Sequence, residues 1–177
     1  MVDAAVALFA SVGYTATTME AVAARSGMSV QSVYFTFHSK ANLVQAAIDR
    51  ATPPPQTRTT EQDPDQALTL LVDGVVRSLE ATGALAMAVS AAAPGDAAVT
   101  QVRDGLDRRR AQAALDLVHQ LRGLRSLARG VTARRAADVV YGLLSPQLHA
   151  LLVLERGWTT KRYAAWSADA IGRALWG

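Results

Sequence analysis

The side chains that could catalyse a reaction are scattered along this chain of 177 residues. His38, His119 and His149 stand apart from one another, and the sequence has no GxSxG, phosphate-loop or HExxH motif. It also has no cysteine, which excludes disulfides and thiolate metal or redox sites. We therefore expect no enzyme activity, no metal and no cofactor. The function to consider for this sequence is noncovalent binding.

Residues 29–37, SVQSVYFTF, have the spacing of a short helix with one apolar and one polar face. Ser29 can cap this helix, in which Val33 and Phe37 recur on the inward side. Four side chains are left largely outside: Gln31, Ser32, Phe35 and Thr36. The sequence therefore predicts a helix that packs through one face and presents the other.

A second short helix precedes this one and must position it. It opens at Thr17 with Glu20 three residues later, so hydroxyl and carboxylate can each satisfy a free backbone N–H in a capping box. Gly27 sits where a residue at positive φ would end it. Two helices with such a turn form a helix-turn-helix, whose second helix can lie in a DNA major groove. Any pair of hairpin helices gives the same pattern, so on this evidence alone a purely structural role is equally open.

The surrounding motifs resemble the DNA-binding domain of the tetracycline-repressor (TetR) family. The chain has an apolar first helix ending in LFASVGY, then ATTMEAVAARSGMS, then VYFTFHSKANL. The positions that recur together in that family are Gly13, Tyr14, Ser26, Gly27, Tyr34, Phe35, Ser39 and Lys40. The resemblance implies an all-α protein with an N-terminal three-helix helix-turn-helix domain and a C-terminal helical ligand-binding and dimerisation domain.

The resemblance also assigns roles to individual residues. It implies base contacts from Gln31, Ser32, Phe35 and Thr36, with Gln31 able to pair with adenine. It implies phosphate contacts from Thr18, Ser29, Tyr34 and Lys40, the last with help from the N-terminus of the fourth helix. Ser29 and Ser39 would be expected as helix caps in any protein, and Phe35 could instead be a core aromatic.

Charge argues against strong DNA binding by this first domain. Its basic and acidic residues balance: Arg25, Lys40 and Arg50 against Asp3, Glu20 and Asp49. Phosphate neutralisation supplies most non-specific affinity for DNA, and family members usually carry several basic residues before or within the first helix. We expect either that a basic N-terminal arm precedes this sequence in the natural protein, which we favour, or that affinity is low and depends on dimerisation.

The chain divides at ATPPPQTRTTEQ, because three consecutive prolines cannot continue a helix. We predict a DNA-binding domain at 1–50, a Pro-rich connection at 51–62 and a helical effector-binding and dimerisation domain at 63–177. Asp63 caps the first helix of the last domain. LAMAVSAAA, residues 85–93, is apolar all round, as in a helix enclosed within a core. The arginines of residues 103–110 are interspersed with Asp104 and Asp107, which favours a solvated face, and no function is assigned to the arginines of 122–135.

The end of the chain resembles the closing helix pair of actinobacterial-type TetR members, especially in SPQLHALLVLERGW and RYAAW. That resemblance implies a homodimer through the last two helices. It also implies an effector pocket in the helical domain, for which the candidate lining residues are Met87, Ser90, His119, Tyr141, Gln147 and His149. Each of them could equally be a satisfied core residue.

The sequence as a whole is identified as a member of a family of DNA-binding transcriptional regulators. We expect a cytoplasmic repressor that a small-molecule effector releases from a palindromic operator. The longest apolar run, Leu148 to Leu154, is too short to cross a bilayer, so no membrane association is expected. The alternative is a helical small-molecule or protein-binding module with weak or lost DNA binding, which the uncharged first domain favours.

Overall fold

A computed structural model describes residues 1–52 and 59–177, and within those ranges the chain forms helices and no strand. The helices are α1 Val2–Ala16, α2 Met19–Ser26, α3 Val30–Phe37, α4 Lys40–Ala51, α5 Pro64–Ala92, α6 Ala97–Leu124, α7 Ala133–Leu143, α8 Pro146–His149 and α9 Thr160–Trp176. A 3₁₀ turn, Ala93–Gly95, follows α5, and a π-helical segment, Ala150–Glu155, continues α8. The predicted all-α fold is confirmed.

Local hydrogen bonds explain where these helices begin. Ser29, Thr132 and Thr159 each accept a backbone N–H three residues ahead, as helix caps do. Asp63 accepts the backbone N–H of Gln66 at 2.8 Å and so caps α5. Gly27 ends α2 with φ 67°, a left-handed conformation that glycine adopts without steric cost.

The predicted capping box at Thr17 is wrong by one residue. Thr18 caps α2, and its side chain accepts the backbone N–H of Ala21 at 3.1 Å. Thr17 is buried, and its hydroxyl donates to the carbonyl of Gly13 at 2.8 Å. Gly13 interrupts α1 with φ 79°, so the chain turns there and brings Thr17 beneath the last turn of α1.

The first compact unit comprises Met1–Pro53 and Ala81–Leu106. Its core is formed by apolar side chains of α1 to α4 together with the end of α5 and the start of α6. The largest of them are Phe9, Tyr14, Met19, Val22, Val33, Leu43, Val44, Ile48, Leu85, Val89 and Val99. The three-helix head therefore shares one core with parts of both long helices.

The second compact unit comprises Pro54–Glu80 and Asp107–Gly177. Its core is built from α5, α6, α7 and α9 around the fully buried Tyr163, Ile171 and Leu175. Pro146 interrupts the helical run after α7, and a new helix starts there under the Ser145 cap. The functional division at 1–50, 51–62 and 63–177 stays a prediction, and residues 53–58 of its connection lie outside the described residues.

The expectation that residues 85–93 are enclosed is wrong. Leu85 and Val89 are buried, but Met87 is 36% exposed and Ala91 is exposed as well. A helix made largely of alanine looks apolar on every side, although only one of its faces packs against the core.

Two helical segments, Pro64–Gly95 and Ala133–Glu155, are long and apolar enough by composition to cross a membrane. The core helices of soluble proteins meet the same criterion. In this chain the inward faces of both segments supply side chains to the packed cores, among them Leu71, Val72 and Val140. Composition therefore does not single them out as membrane spans.

Candidate nucleic-acid interface

Helix α3 is held by its cap and by one fully buried side chain. The Ser29 hydroxyl accepts the backbone N–H of Ser32 at 3.0 Å and lies 2.7 Å from the Ser32 hydroxyl. Val33 is completely buried in the core of the first unit, and Phe37 packs partly buried against it. This anchoring leaves the opposite side of α3 facing outward.

The outer side of α3 carries large aromatic side chains that are exposed. Phe35 is 83% exposed and Tyr34 is 45% exposed, so Phe35 is not a core aromatic in this chain. Gln31 and Thr36 are also exposed, and the Thr36 hydroxyl donates to the Ser32 carbonyl at 2.8 Å. We call Gln31, Ser32, Tyr34, Phe35 and Thr36 the α3 face. Together with the exposed Thr18 cap of α2, these residues lie where the sequence predicts DNA contacts.

Lys40 has an internal role that the sequence analysis missed. Its ammonium donates to the carbonyls of Tyr14 and Thr17, each at 3.0 Å, and to that of Thr15 at 3.4 Å. The same ammonium lies 4.3 Å from the centre of the Tyr14 ring. Lys40 therefore ties the start of α4 to the chain between α1 and α2, and its predicted phosphate contact stays a prediction that competes with these bonds.

Tyr14 supplies the aromatic ring over which the Lys40 ammonium lies. Its ring stacks on Phe9 with centroids 5.8 Å apart, and burial raises the pKa of its phenol to about 12, with Asp96 adding to the shift. The neutral phenol therefore persists at any physiological pH. Because the Lys40 ammonium lies over this ring, Lys40 links the start of α4 to Tyr14, the tyrosine of the Gly13-Tyr14 pair.

Little positive charge of the first domain is available to phosphates. Arg50 pairs with Asp3 at 3.2 Å, and Lys40 is engaged with backbone carbonyls. Arg25, in the last turn of α2, is exposed. No lysine, arginine or carboxylate lies between Ser26 and Ser39. The α3 face is therefore uncharged, and its contacts must be polar or apolar.

The predicted effector-pocket residues divide between the two units. Met87 and Ser90 belong to the first unit, where Ser90 is half-buried. His119 and Gln147 belong to the second unit and are exposed, so the expectation that they converge on its core is wrong. Beside His119, the buried residues of α6 are Leu117, Val118 and Leu121, which leave the histidine on the opposite face.

Tyr141 belongs to a polar cluster that joins α7 to α6. Its hydroxyl donates to Asp107 at 3.2 Å, and Arg110 donates to Asp107 and to the Tyr141 carbonyl, each at 3.2 Å. The guanidinium also lies 4.3 Å from the ring centre. Burial raises the pKa of Tyr141 and Arg110 opposes the rise. This cluster is partly buried, so the predicted solvated face is wrong at Arg110.

His149 is one of three residues of the second unit, with Ser167 and Trp176, whose side chains have a buried polar atom without a hydrogen-bond partner among the described residues. It is 6% exposed and meets Tyr163 edge to face, with ring centroids 5.2 Å apart. Its Nε2 has no hydrogen-bond partner among the described residues. Burial lowers the pKa of the imidazole, and Glu80 opposes the fall. Since desolvation disfavours the charged form, His149 is held neutral.

A cavity of about 460 Å³, widely open to solvent, lies on the second unit between α5 and α9. Its walls include Leu68, Ala168, Gly172 and Trp176, with Asp169 and Arg173 also lining it. None of the six predicted effector residues lines this cavity. Across 1–52 and 59–177, no group of three or more His, Asp or Glu side chains is arranged to hold a metal ion.

Comparisons with known proteins identify the N-terminal region. Residues 1–47 match the family model described as bacterial regulatory proteins, tetR family. No curated protein matches the chain.

Solved structures match nearly the whole chain. SmeT in complex with triclosan superposes with a TM-score of 0.77 at 22% identity, over 99% of this chain and 90% of SmeT. NalD, the secondary repressor of the MexAB-OprM multidrug efflux pump in Pseudomonas aeruginosa, gives 0.72 at 23%, over 98% and 93%. FadR from Bacillus subtilis in complex with stearoyl-CoA gives 0.71 at 13%, over 98% and 97%. At these identities the likeness shows a shared fold.

Proposed function

We propose that this chain, whose residues 1–47 match the family model of the tetR bacterial regulatory proteins, is a sequence-specific DNA-binding transcriptional regulator. In this proposal it represses transcription from a palindromic operator until a small-molecule effector releases it. It acts in the cytoplasm and has no catalytic role.

The observation that carries this proposal is the exposed α3 face on a helix-turn-helix. Phe35 exposes a large apolar surface to solvent, and Tyr34 is 45% exposed beside it. A second helix of this motif fits the major groove, where Gln31 and Thr36 would meet base edges. Tyr34, Thr18 and Ser29 would hold phosphates beside them.

A homodimer through the last two helices would place two α3 faces about 34 Å apart, one helical turn of DNA. Exposed leucines support that interface, because Leu151 and Leu154 of the π-helical segment are 45% and 73% exposed. Sedimentation of Leu154→Glu should show a monomer. Leu70→Glu changes an exposed leucine of α5 and serves as the matched control, which should remain dimeric.

An effector would shift the equilibrium between a DNA-binding state and a state in which the two α3 faces have another spacing. SmeT with triclosan and FadR with stearoyl-CoA have ligands in proteins of the same fold, which supports a ligand here. Tyr141 and His149, which both belong to the second unit, remain our candidates for its contacts. Helix α4 would convey the change, because Leu43, Val44 and Ile48 are buried in the core that also holds α3.

The test is selection of duplex DNA from a randomised pool at several salt concentrations, followed by sequencing of the retained molecules. Enrichment of a palindrome supports the proposal. Tyr34→Ala should leave the dimer folded and abolish retention of that palindrome, whereas Tyr34→Phe isolates the contribution of the hydroxyl. Gln31→Ala should relax base preference at one position per half-site.

A second function is favoured by the charge distribution. With Lys40 and Arg50 engaged and no net charge over residues 1–50, the chain could be a helical small-molecule or protein-binding module with weak DNA binding. Salt dependence separates the two, since each neutralised phosphate contributes a slope of about −0.9 in log affinity against log salt. A pool with no enriched sequence at low salt would favour the module.

A further inference from the structure

The α3 face lacks every side chain that reads a G·C base pair through charge. Guanine is most often read by a bidentate arginine or lysine, and cytosine by a carboxylate that accepts from its N4. No such residue lies between Ser26 and Ser39. Lys40, the nearest cation that follows, donates to three backbone carbonyls instead.

The hydroxyls of this face are also partly committed. Ser32 shares a 2.7 Å hydrogen bond with Ser29 at the cap, and Thr36 donates to the Ser32 carbonyl. These bonds use hydroxyl capacity that would otherwise be free for a base edge. Tyr34 is assigned to a phosphate in the proposed complex, so the groups of this face that remain for base edges are the amide of Gln31 and the ring of Phe35.

The amide of Gln31 and the ring of Phe35 can each contact one of the two base types of A·T pairs. A glutamine amide can bond adenine at N6 and N7, and an apolar side chain can pack on the C5-methyl group of thymine. Gln31 and Phe35 are four residues apart on α3, so their Cβ atoms are neighbours at about 5–6 Å. That separation spans one to two base-pair steps.

From this geometry we propose that α3 reads A·T base pairs, with Phe35 packed on a thymine methyl and Gln31 paired with an adenine one or two steps away. The inference rests on the proposed DNA-binding function and deepens it by naming the bases. Apolar contact then supplies affinity that the uncharged first domain does not obtain from phosphates. The exposure of Phe35, 83%, gives the contact a large surface to bury.

The experiment replaces each thymine of the selected palindrome, one at a time, by deoxyuridine, which removes only the methyl group. Burying a methyl group stabilises by about 0.8 kcal/mol, so one position per half-site should weaken binding about fourfold. Substitution in both half-sites should weaken binding by about fifteenfold, because the two contributions add.

Variants at residue 35 assign the methyl contact. Phe35→Ala should bind thymine and deoxyuridine duplexes equally, whereas Phe35→Leu should keep part of the difference. Gln31→Ala should keep the thymine preference and lose the adenine preference. Gln101→Ala, at an exposed and uncharged position of α6, is the control and should behave as the unaltered chain. Because Phe35 is exposed, its truncation should leave the melting temperature unchanged.

Three results would overturn the inference. If a palindrome is enriched but no deoxyuridine position weakens binding, the proposed function stands and the methyl contact is absent. If the deoxyuridine effect persists in Phe35→Ala, another residue makes the contact. If no sequence is enriched from the pool, the DNA-binding function fails, and the base assignment fails with it.

Discussion

Helices α3 and α9 both carry aromatic residues, but they bury them to opposite extents. α3 has eight residues, buries Val33 alone and leaves Phe35 83% exposed. α9 has seventeen residues, buries six of them and encloses Tyr163 completely. One helix turns its largest aromatic ring toward solvent, and the other places such a ring at the centre of a core.

The difference shows what holds each helix in place. α9 is stabilised by its own burial, because its inward stripe contributes directly to the core of the second unit. α3 is too short to be stable alone, so it depends on the Ser29 cap, on Gly27 before it and on the core that receives Val33. Its exposed apolar face is therefore surplus to folding and is available for binding.

The comparison between α3 and α9 is tested most directly by truncating one aromatic side chain in each helix, Phe35 in α3 and Tyr163 in α9. Tyr163→Ala removes a fully buried ring and the 2.6 Å hydrogen bond from its hydroxyl to the Leu143 carbonyl. It should lower the free energy of unfolding by about 3–5 kcal/mol. Phe35→Ala should change it by less than about 0.5 kcal/mol. Urea titrations followed by circular dichroism measure both, and equal losses would show that α3 uses Phe35 for folding.

A second variant tests whether Lys40 supports the α3 region from inside. Lys40→Met keeps the aliphatic chain but removes the donors to Tyr14 and Thr17, which should cost about 1–2 kcal/mol. Arg50→Met breaks an exposed ion pair with Asp3 and should cost less than about 1 kcal/mol. If Lys40→Met unfolds at the unaltered urea midpoint yet loses DNA binding, its predicted phosphate contact would be the better account.

The turn before α3 can be tested with two glycines. Gly27→Ala places a Cβ at φ 67°, which should destabilise by about 1–2 kcal/mol. Gly83→Ala lies within α5, where a new Cβ meets nothing within 4 Å, and should stabilise by about 0.5–1 kcal/mol. Thermal unfolding of both variants gives the two signs, and a loss at Gly83 would contradict the open space seen there.

The smallest expected effect concerns pH and the second unit alone. Burial lowers the pKa of His149 below its ordinary 6.5, so the unfolded chain takes up this proton more readily than the folded chain. The stability that neutral His149 contributes is present above pH 6.5 and is lost as the pH falls toward its folded pKa.

His149→Phe keeps an aromatic ring against Tyr163 and removes the titrating group. Melting temperatures of the two proteins between pH 7.5 and 5.5 should therefore show a steeper acid loss for the unaltered chain. Parallel curves would mean that His149 does not account for the acid sensitivity.

Much of the fold was predictable because its signals are local. The caps at Ser29, Asp63, Thr132 and Thr159 join atoms within three residues of one another, and the interruption at Pro146 follows from its missing N–H. The capping error at Thr17 arose because two adjacent threonines offer the same local signal. Only the turn at Gly13 decides which hydroxyl is free to cap α2.

The sequence by itself determined the helical elements and the helix-turn-helix, since these depend on residue spacing and on hydrogen bonds within a few residues. Tertiary structure alone decided the rest. Lys40 meets Tyr14 across 26 positions of the chain. His119 and Met87 are exposed because the helices that carry them pack against the core through other faces. The residues of a helix determine which of its faces can be buried, but the elements that pack against it determine which face is buried.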